Sequence, residues 1–390
     1  MSSLRVTKRR LLWTGGGLLL LGALALATLL GSHWTYIQRI RHYPAKPVTD
    51  VGWYEPKLKV PGGAISDIPV AAPSERQIED AAISNAVNYA EQKNSAALLI
   101  VHRGKIVVER YWQGQQTNRW ADSASMAKTV TALLIGMAIQ EGKIRSIEEP
   151  AATYLPAWSK DARRQITIRQ LLNMHSGLRP QGEYDDPFSD ACYLALGTDS
   201  RSMVSHVPLV VAPGTTNSYN NANYQALGFV LEAATGQPYA AYLSQKLWQP
   251  LGNADSALWL DKEGGSAHTF GFLFATARDW ARIGLLILNE GRWNGRSIVS
   301  ADWIREMTRA SPTNPNYGHG LWIGSGKGSK RTDQKEPFAT DDVIYLNGRH
   351  KQRVYIVPSC QLVIVRQGEQ ARGWNETYLV NVLVRGIRPL

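Results

Sequence analysis

Cysteine is scarce in this 390-residue chain, which contains only Cys192 and Cys360. Neither belongs to a C-x-x-C pair or to a cluster of cysteine and histidine, so the sequence gives no support for a structural zinc site. The two thiols could form a disulfide in an oxidising compartment, or they could be two separate buried residues. Their positions in the sequence leave both interpretations open.

Runs of like charge are also missing. The formal net charge is +11, but nowhere do five or six Lys or Arg residues stand together. An evenly spread basic charge argues against a nucleic-acid partner and is typical of a solvated surface that can face an anionic membrane. With 44% hydrophobic and 19% charged residues, the chain is long enough for one large globular domain or two ordinary ones.

One long uncharged run lies close to the N-terminus, from Leu11 to Leu30, directly after four basic residues. A helix needs about 20 apolar residues to cross a hydrocarbon core of ~30 Å, and preceding positive charges orient such a helix. We favour an uncleaved anchor over a cleaved signal sequence. The predicted organisation is a cytoplasmic tail (1–10), a transmembrane anchor (11–31), a linker (32–75) and a folded domain (76–390).

This organisation predicts a single-pass protein of the inner, cytoplasmic membrane, with its folded domain on the periplasmic side. Within that domain, strand-like runs at 96–101 and 106–112 predict a hairpin, and the region from about 150 to 310 has mainly helical periodicity. Further strand-like runs lie near the C-terminus, at 343–346, 354–357 and 362–366. We therefore predict an α+β fold in which both ends of the domain build one antiparallel sheet, flanked by helices and a mainly helical insertion.

The strongest chemical motif is Ser125-Met126-Ala127-Lys128, the one S-x-x-K in the sequence. It opens a helix predicted to run from about 125 to 140, where residues three apart lie on the same face. A serine hydroxyl becomes a useful nucleophile when a base removes its proton, and a desolvated lysine with a lowered pKa is such a base. The spacing therefore makes Ser125 a candidate nucleophile and Lys128 its partner.

A second motif follows a Pro-Gly-Thr turn at 213–215. Tyr219 is a candidate second base or proton relay, because a phenol near a lysine can exchange protons with it. Asn221, two residues further on, carries an amide that can hydrogen-bond the lysine and orient a substrate amide.

Together these segments resemble the serine hydrolases of the class C β-lactamase and penicillin-binding-protein type. They are most similar to the branch of carboxylesterases and 6-aminohexanoate-dimer (nylon-oligomer) hydrolases. The resemblance extends over about residues 76–388 and includes the turn at 171–178 and the segments at 275–279 and 352–358. It implies a β-lactamase/transpeptidase-like fold, with Ser125 as the nucleophile and with Lys128, Tyr219 and Asn221 in the family's matching positions.

The sequence departs from the family's third motif, because no K-T-G or K-S-G occurs. The matching strand is expected at Val343–Asn347, and by position the N–H of Leu346 would join the N–H of Ser125 in binding an oxyanion. In β-lactam-active relatives the missing lysine and threonine hold the substrate carboxylate. Arg349, His350 or Lys351 could replace them, or these residues could form a solvated turn; of the three, His350 is retained as a candidate substrate-binding residue.

Tyr184 lies in the loop where nylon-hydrolase relatives carry a substrate-contacting tyrosine. The resemblance thus implies acyl transfer through an acyl-enzyme on Ser125, acting on a small ester, amide or peptide, with no metal or organic cofactor. A D-Ala-D-Ala carboxypeptidase or a class C-type β-lactamase is the alternative within this class. A catalytically silent relative that binds peptidoglycan or a partner is the alternative from another class. The sequence does not fix the oligomeric state.

Overall fold

The computed structural model describes residues 33–43, 47–324 and 334–388. The strands in these residues are β1 (Lys57–Val60), β2 (Ser95–His102), β3 (Lys105–Tyr111), β4 (Ala121–Asp122), β5 (Ser256–Trp259), β6 (Leu273–Ala275), β7 (Arg292–Trp293), β8 (Arg296–Ser297), β9 (Trp322–Ile323), β10 (Ile344–Gly348), β11 (Gln352–Val357) and β12 (Leu362–Gly368). Six of them form an antiparallel sheet in the order β3-β2-β12-β11-β10-β9. A smaller antiparallel sheet has the order β1-β5-β6-β4, and β7 pairs with β8.

The α-helices of the described residues occupy both flanks of the larger sheet and most of the chain between its two halves. They are α1 (Trp34–His42), α2 (Asp80–Gln92), α3 (Ala127–Gln140), α4 (Ile168–Leu172), α5 (Asp190–Leu196), α6 (Ser200–His206), α7 (Asn221–Thr235), α8 (Tyr239–Leu243), α9 (Ala277–Leu288), α10 (Ala301–Met307) and α11 (Tyr378–Arg385). The predicted α+β class is confirmed, because β2 and β3 from one end of the domain pair with β10–β12 from the other.

The larger sheet is buried on both faces. Alternate residues of β2 point to opposite sides, so Leu98 and Ile100 pack beside α2 and α11, while Leu99 and Val101 share the main core with α9. Double-sided burial explains why β2 reads as a nearly continuous apolar run rather than as an alternating one. At Gly284 of α9, an added Cβ would lie 2.6 Å from Cγ1 of Val363, so the helix approaches the sheet closely.

The predicted elements of the larger sheet correspond to observed ones within a few residues, including the β2–β3 hairpin and the three C-terminal strands. The smaller sheet was not predicted. Its strands are two to four residues long. Strand β1 pairs with β5, and β4 pairs with β6, so each of these pairs joins segments more than a hundred residues apart. Such short runs carry too little periodicity to be distinguished from loops.

The predicted membrane location is corrected by the structure. In residues 33–43, 47–324 and 334–388, no helix combines the length and the apolar character that a membrane span requires. The longest of these helices, α7, has 15 residues, or about 22 Å at ~1.5 Å per residue, short of the ~30 Å hydrocarbon core. The predicted anchor at 11–31 lies outside the described residues.

The region expected to be a linker also differs from that expectation in its described residues. Strand β1 pairs with β5 in register from Lys57↔Trp259 to Val60↔Ser256. Arg39 of α1 is 5% exposed and donates to backbone carbonyls of the domain. These contacts join residues far apart in the sequence, so local composition, which is rich in Pro, Gly and Tyr, does not reveal them.

Candidate active site

Ser125 lies in a short 3-10 turn, Ala124–Met126, that leads directly into helix α3. The turn is strained at Ala124, whose φ of +46° is in the left-handed region that disfavours a Cβ. Asp122 holds this conformation, because its Oδ1 accepts the Ala124 N–H at 2.8 Å. The turn therefore fixes the serine at the N-terminal end of a buried helix, where backbone N–H groups are not used by the helix itself.

Lys128 lies one turn further along α3, where it is 1% exposed. Its Nζ lies 3.0 Å from Ser125 Oγ and donates to Asn221 Oδ1 at 2.7 Å and to the Phe270 carbonyl at 2.8 Å. All three partners are neutral oxygens. Burial lowers the pKa of Lys128 well below the usual lysine value, because a desolvated ammonium has no opposite charge here to stabilise it.

The second motif reaches the same place through the N-terminus of α7. Asn220 caps this helix by accepting the Ala222 N–H at 2.9 Å, and this places Tyr219 just before the helix and Asn221 in its first turn. The Lys128 Nζ lies 5.0 Å from the centroid of the Tyr219 ring. The contact that the sequence predicted between Asn221 and Lys128 is present.

Ser125 and Tyr219 line one cavity of about 300 Å³. Its walls are mostly aromatic, and the lining residues are Tyr43, Ala124, Ser125, Tyr184, Tyr219, Phe270, Gly271, Phe272, Trp322, Asn347 and Arg349. The Tyr219 ring stacks on Trp322 at 6.2 Å between centroids. Such a cavity is suited to a small, largely apolar chain with a polar bond held at Ser125.

Tyr184, predicted from the loop between α4 and α5, is a wall of this cavity, and its hydroxyl accepts a hydrogen bond from Asn221 Nδ2. Burial raises the pKa of Tyr184, so its phenol keeps its proton and can donate to a substrate oxygen. The structure thus joins Ser125, Lys128, Asn221 and Tyr184 through consecutive hydrogen bonds.

Leu346 was predicted to contribute its backbone N–H, and that prediction stays open. Its side chain is fully buried in the main core, whereas its neighbour Asn347 lines the cavity, because side chains alternate along strand β10. His350 is also outside the wall. It occupies the turn after β10 with φ +57°, and its carbonyl accepts from Arg366 Nη1 at 2.6 Å. Burial and the charges of Arg349 and Arg366 lower the pKa of His350 to about 4.

At Gly348 strand β10 lies against the turn that carries Ser125. A Cβ built on Gly348 would lie 2.5 Å from the Ser123 carbonyl and 3.2 Å from the Ala124 Cβ, so a larger residue would push the strand from the turn. The expected strand ended at Asn347, so the sequence did not single out Gly348, and its close approach to the turn had to be seen in the structure.

Several lining residues were not predicted as part of the site. Phe270, Phe272 and Trp322 are ordinary aromatic residues in the sequence, and Tyr43 belongs to the region expected to be a linker. Arg349 was one of three basic residues considered for a substrate carboxylate, and of those three it is the one in the wall. No local pattern marked Tyr43, Phe270, Phe272 and Trp322, because they converge from three separate segments of the chain.

Three other titratable residues, of which two follow Tyr184 directly, do not line the cavity. Asp185 and Asp186 are exposed, and Asp186 accepts the Phe188 N–H in a local turn. His319 is buried with Nδ1 2.7 Å from Asn173 Oδ1. Cys192 and Cys360 are both free thiols, so the disulfide left open by the sequence does not form in this structure.

A serine hydroxyl bonded to a buried lysine amine, at the start of a helix beside an antiparallel sheet, is the arrangement of a serine hydrolase that uses a Ser–Lys pair. The comparison with protein families agrees with this class. The sequence profile of the beta-lactamase family matches residues 80–367, and the chain belongs to that family.

Individual relatives point to the same group. The 6-aminohexanoate-dimer hydrolase of Paenarthrobacter ureafaciens is 25% identical over 326 residues, covering 79% of this chain and 82% of that enzyme. A putative D-alanyl-D-alanine carboxypeptidase of Escherichia coli K12 is 25% identical over 181 residues, covering 40% of this chain and 42% of that protein. A putative 6-aminohexanoate-dimer hydrolase from Bacillus anthracis superposes with a TM-score of 0.70 at 22% identity, covering 87% of this chain and 91% of that structure. The protein is a β-lactamase-fold serine hydrolase, as its resemblance implied.

Proposed function

We propose that this enzyme cleaves linear ester or amide bonds through an acyl-enzyme on Ser125. The observation that carries the proposal is the set of three oxygens around Lys128 Nζ, one of which is Ser125 Oγ at 3.0 Å. Two of the three, Asn221 Oδ1 and the Phe270 carbonyl, can only accept hydrogen bonds. A neutral amine has two N–H donors for these carbonyls and one lone pair, which is then directed to the serine hydroxyl.

The burial of Lys128 supports this proton arrangement, because it lowers the pKa and favours the neutral amine. Lys128 then accepts the hydroxyl proton as Ser125 Oγ forms its bond to the substrate carbonyl carbon. The resulting ammonium donates to all three oxygens, so the charge that appears during attack is solvated by groups already in place.

Tyr219 is proposed to pass a proton between Lys128 and the leaving group. Its support is proximity, since the ammonium would form 5.0 Å from the ring centroid and the ring lines the same cavity as Ser125. Protonation of the leaving alcohol or amine breaks the scissile bond. Water then attacks the acyl-enzyme, with Tyr219 and Lys128 taking its proton, and this step releases the acid and restores Ser125.

The oxyanion needs two N–H donors, and we assign one to Ser125. The second was predicted on Leu346. The close approach of Gly348 to Ser123 favours a donor at the end of β10 instead, two or three residues further along the strand. Asn221 and Tyr184, hydrogen-bonded to each other, would orient the substrate's amide or ester group.

The substrate class rests on two observations. One relative that aligns with 79% of this chain is a 6-aminohexanoate-dimer hydrolase. The aromatic cavity of about 300 Å³ suits a small linear substrate. β-Lactams should be poorer substrates, because the lysine and threonine of the missing K-T-G motif are absent. One charge-assisted hydrogen bond contributes about 1.5–3 kcal/mol, so its loss lowers a rate constant by roughly ten- to a hundredfold.

Labelling by a fluorophosphonate tests the nucleophile. We expect wild-type protein to be labelled on Ser125 and the Ser125→Ala variant to be unlabelled and inactive while remaining folded, because the lost hydroxyl contributes little to packing. Ser84→Ala, which removes an exposed serine on α2, is the matched control. An active or labelled Ser125→Ala variant would assign the reaction to another residue, and an unlabelled wild type would favour a catalytically silent binder.

A substrate panel tests the class: 4-nitrophenyl butyrate, the 6-aminohexanoate dimer, nitrocefin and a D-Ala-D-Ala peptide, compared by kcat/KM on one preparation. We expect the ester to exceed nitrocefin by at least tenfold. The carboxypeptidase alternative, which the second relative favours, predicts that the peptide is the best substrate. Preference for nitrocefin would mean that residues after β10 replace the missing motif.

A further inference from the structure

Helix α1 (Trp34–His42) precedes residues 80–367, which match the family profile, yet it packs onto the hydrolase domain. Its buried Arg39 has its guanidinium 4.6 Å from the Trp259 ring centroid. The same guanidinium donates hydrogen bonds to five backbone carbonyls, those of Glu55, Leu196, Gly197, Leu260 and Asp261. These carbonyls belong to three separate segments of the chain, so Arg39 fixes the helix relative to all three.

The same helix is also joined to the loop that carries Tyr184. The Tyr36 hydroxyl donates to the Pro187 carbonyl at 2.5 Å, and the Tyr36 ring lies 5.5 Å from that of Tyr193 in an edge-to-face arrangement. Pro187 stands three residues after Tyr184, which lines the cavity. Helix α1 is therefore connected both to the body of the domain and to a segment of the cavity wall.

The helix ends next to the cavity. Tyr43, which follows its last residue, is one of the lining residues. Its ring lies 6.0 Å from that of Phe272 and 6.2 Å from that of Tyr184, centroid to centroid, and the Arg349 guanidinium lies 4.9 Å from its centroid. A residue outside the matched region thus forms part of the wall around Ser125, and its neighbours hold its ring in place.

Phe272, beside Tyr43 in the wall, is fixed as well. Its φ of +60° is unusual for a bulky residue, and such a backbone persists where the surrounding packing imposes it. The Phe272 ring lies 5.0 Å from the Trp259 ring and 5.9 Å from the Tyr54 ring. Since Arg39 lies over the same Trp259 ring, one aromatic cluster holds both helix α1 and Phe272.

The cavity therefore contains two aromatic groups, Tyr219 stacked on Trp322, and Tyr43 packed on Phe272. In the proposed mechanism Tyr219 passes a proton to the leaving group, which places the leaving group on the Tyr219 side. The acyl chain, on the other side of the scissile carbonyl, is then assigned to Tyr43 and Phe272. Aromatic surfaces favour a hydrocarbon chain, and a wall fixed by packing limits how long that chain can be.

We propose that Tyr43 is a specificity-determining residue that limits the length of the substrate's acyl chain, and that helix α1 positions Tyr43 through Arg39. This inference rests on the proposed function, because it concerns the substrate of the Ser125 reaction. The substrate class it names is an ester or amide of a short, straight-chain carboxylic acid. A longer chain must either displace the Tyr43 ring or leave methylene groups in water.

The test compares kcat/KM for 4-nitrophenyl esters of straight-chain acids from acetate to decanoate. For wild-type protein we expect kcat/KM to rise by about fourfold for each buried methylene and then to fall before octanoate is reached. An aromatic side chain contributes about as much burial free energy as two to four methylenes, so Tyr43→Ala should move the optimum to chains longer by about two to four carbons. The ratio of octanoate to butyrate kcat/KM should rise by at least about tenfold in this variant.

Three further variants separate the role of Tyr43 from a general effect on folding. Tyr43→Leu makes a smaller change and should raise the same ratio even if Tyr43→Ala fails to fold, whereas Tyr43→Phe keeps the ring and should keep most of the length limit. Arg39→Met, which releases helix α1, should raise the ratio as Tyr43→Ala does. A variant that merely loosens the fold would lower kcat/KM for both esters and leave their ratio unchanged.

The matched control is Tyr378→Ala, which removes a half-buried tyrosine on α11 that stacks on Tyr89 outside the cavity wall. We expect it to keep the wild-type ratio. The assignment to the acyl side is checked with 4-methylphenyl and 4-hexylphenyl acetate, which lengthen the leaving group instead. Tyr43→Ala should leave the ratio of these two acetates unchanged, and a rise in that ratio alone would contradict the acyl assignment.

A wild-type optimum at octanoate or longer, or an octanoate-to-butyrate ratio that Tyr43→Ala and Tyr43→Leu both leave intact, would overturn the inference. A ratio that Arg39→Met leaves intact would overturn the positioning role of helix α1. These outcomes remain distinct from failure of the proposed function. In each of them esters are still hydrolysed and a fluorophosphonate still labels Ser125, whereas failure of the proposed function leaves Ser125→Ala with hydrolysis or labelling.

Discussion

Lys128 and Arg353 both carry a basic group that is almost completely buried, yet their surroundings are opposite. Lys128 and Arg353 are each 1% exposed. Lys128 has three neutral oxygens around its amine, whereas Arg353 binds both carboxylate oxygens of Glu376, through Nε at 2.6 Å and Nη2 at 2.7 Å. Burial alone would lower the pKa of Arg353, but the charge and hydrogen bonds of Glu376 outweigh it and raise the pKa.

The difference separates a group that can change its charge from one that cannot. A buried pair with a complete hydrogen-bond set keeps its charges, and Arg353 uses its remaining donors to hold Asn347 Oδ1 and the Gly348 carbonyl at the end of β10. An unpaired buried lysine can give up its proton at little cost. The paired cation thus supports the strand beside the cavity, and the unpaired one is available for proton transfer.

Replacing Lys128 should have the largest effect. In Lys128→Arg the guanidinium stays protonated and cannot accept a proton, and in Lys128→Met the side chain has no basic group. We therefore expect kcat/KM for 4-nitrophenyl butyrate to fall by about 10²–10⁴-fold in both variants. Lys143→Met, an exposed lysine beyond the end of α3, should have wild-type activity. If Lys128→Arg kept more than a tenth of the activity, Lys128 would not be the base.

Breaking the paired cation should instead affect stability. In Arg353→Met the buried Glu376 carboxylate loses its ion pair, although the Tyr355 hydroxyl still donates to it. We expect the free energy of unfolding, measured by urea denaturation, to drop by about 3–5 kcal/mol. Adding Glu376→Gln should recover part of this loss by removing the charge. A drop of less than about 1 kcal/mol in Arg353→Met would show that the Arg353–Glu376 pair does not support strand β10.

Asp122 provides an acidic counterpart of Lys128, since its hydrogen-bond donors are the neutral Ala124 N–H and Tyr54 hydroxyl. Burial raises the pKa of Asp122 from 3.8 to about 6. The folded state therefore holds the proton more tightly, and the contribution of this group to stability is complete below about pH 4 and is lost as the pH rises through 6.

We expect Asp122→Asn to gain stability relative to wild type by up to about 3 kcal/mol between pH 4 and pH 7. Urea denaturation of both proteins across this range measures the difference. A constant difference between the two proteins would mean that Asp122 is ionised in the folded protein throughout.

A change of one pH unit should have the smallest effect on kcat/KM. Below the pKa of Lys128 the amine is protonated, and activity should fall by about tenfold for each pH unit. Because burial lowers this pKa, the fall should begin well below the ordinary lysine value of about 10.4. An acid limb centred near pH 10 would indicate a lysine that is solvated rather than buried.

Much of the larger sheet could be predicted from the sequence. The strands around 95–111 and 344–368 are long, apolar runs bounded by turns, and the hairpin between β2 and β3 is closed by the short segment His102-Arg103-Gly104-Lys105. The pairing of Lys128 with Ser125 and Asn221 followed from two local motifs. Both depend on spacing along one helix or on a helix start, which a sequence displays directly.

The sequence did not single out Asn347, because it does not show which face of strand β10 points to the cavity, and an error of one residue changes the face. Arg349, His350 and Lys351 are consecutive basic residues, and the structure was needed to show that Arg349 lines the cavity. Tyr43 could not have been predicted, since nothing near it in the sequence indicates that Arg39 is buried against carbonyls from residues 55 to 261.

The sequence by itself determined the nucleophile motif, the family and the strand and helix pattern of the domain, because these depend on residues a few positions apart. Only the tertiary structure decided which residues surround the cavity, that Lys128 is buried with three neutral oxygens around its amine, and that Tyr43, at the end of helix α1, lines the cavity. Burial and pKa depend on how segments hundreds of residues apart pack together, and that packing is a property of the folded chain as a whole.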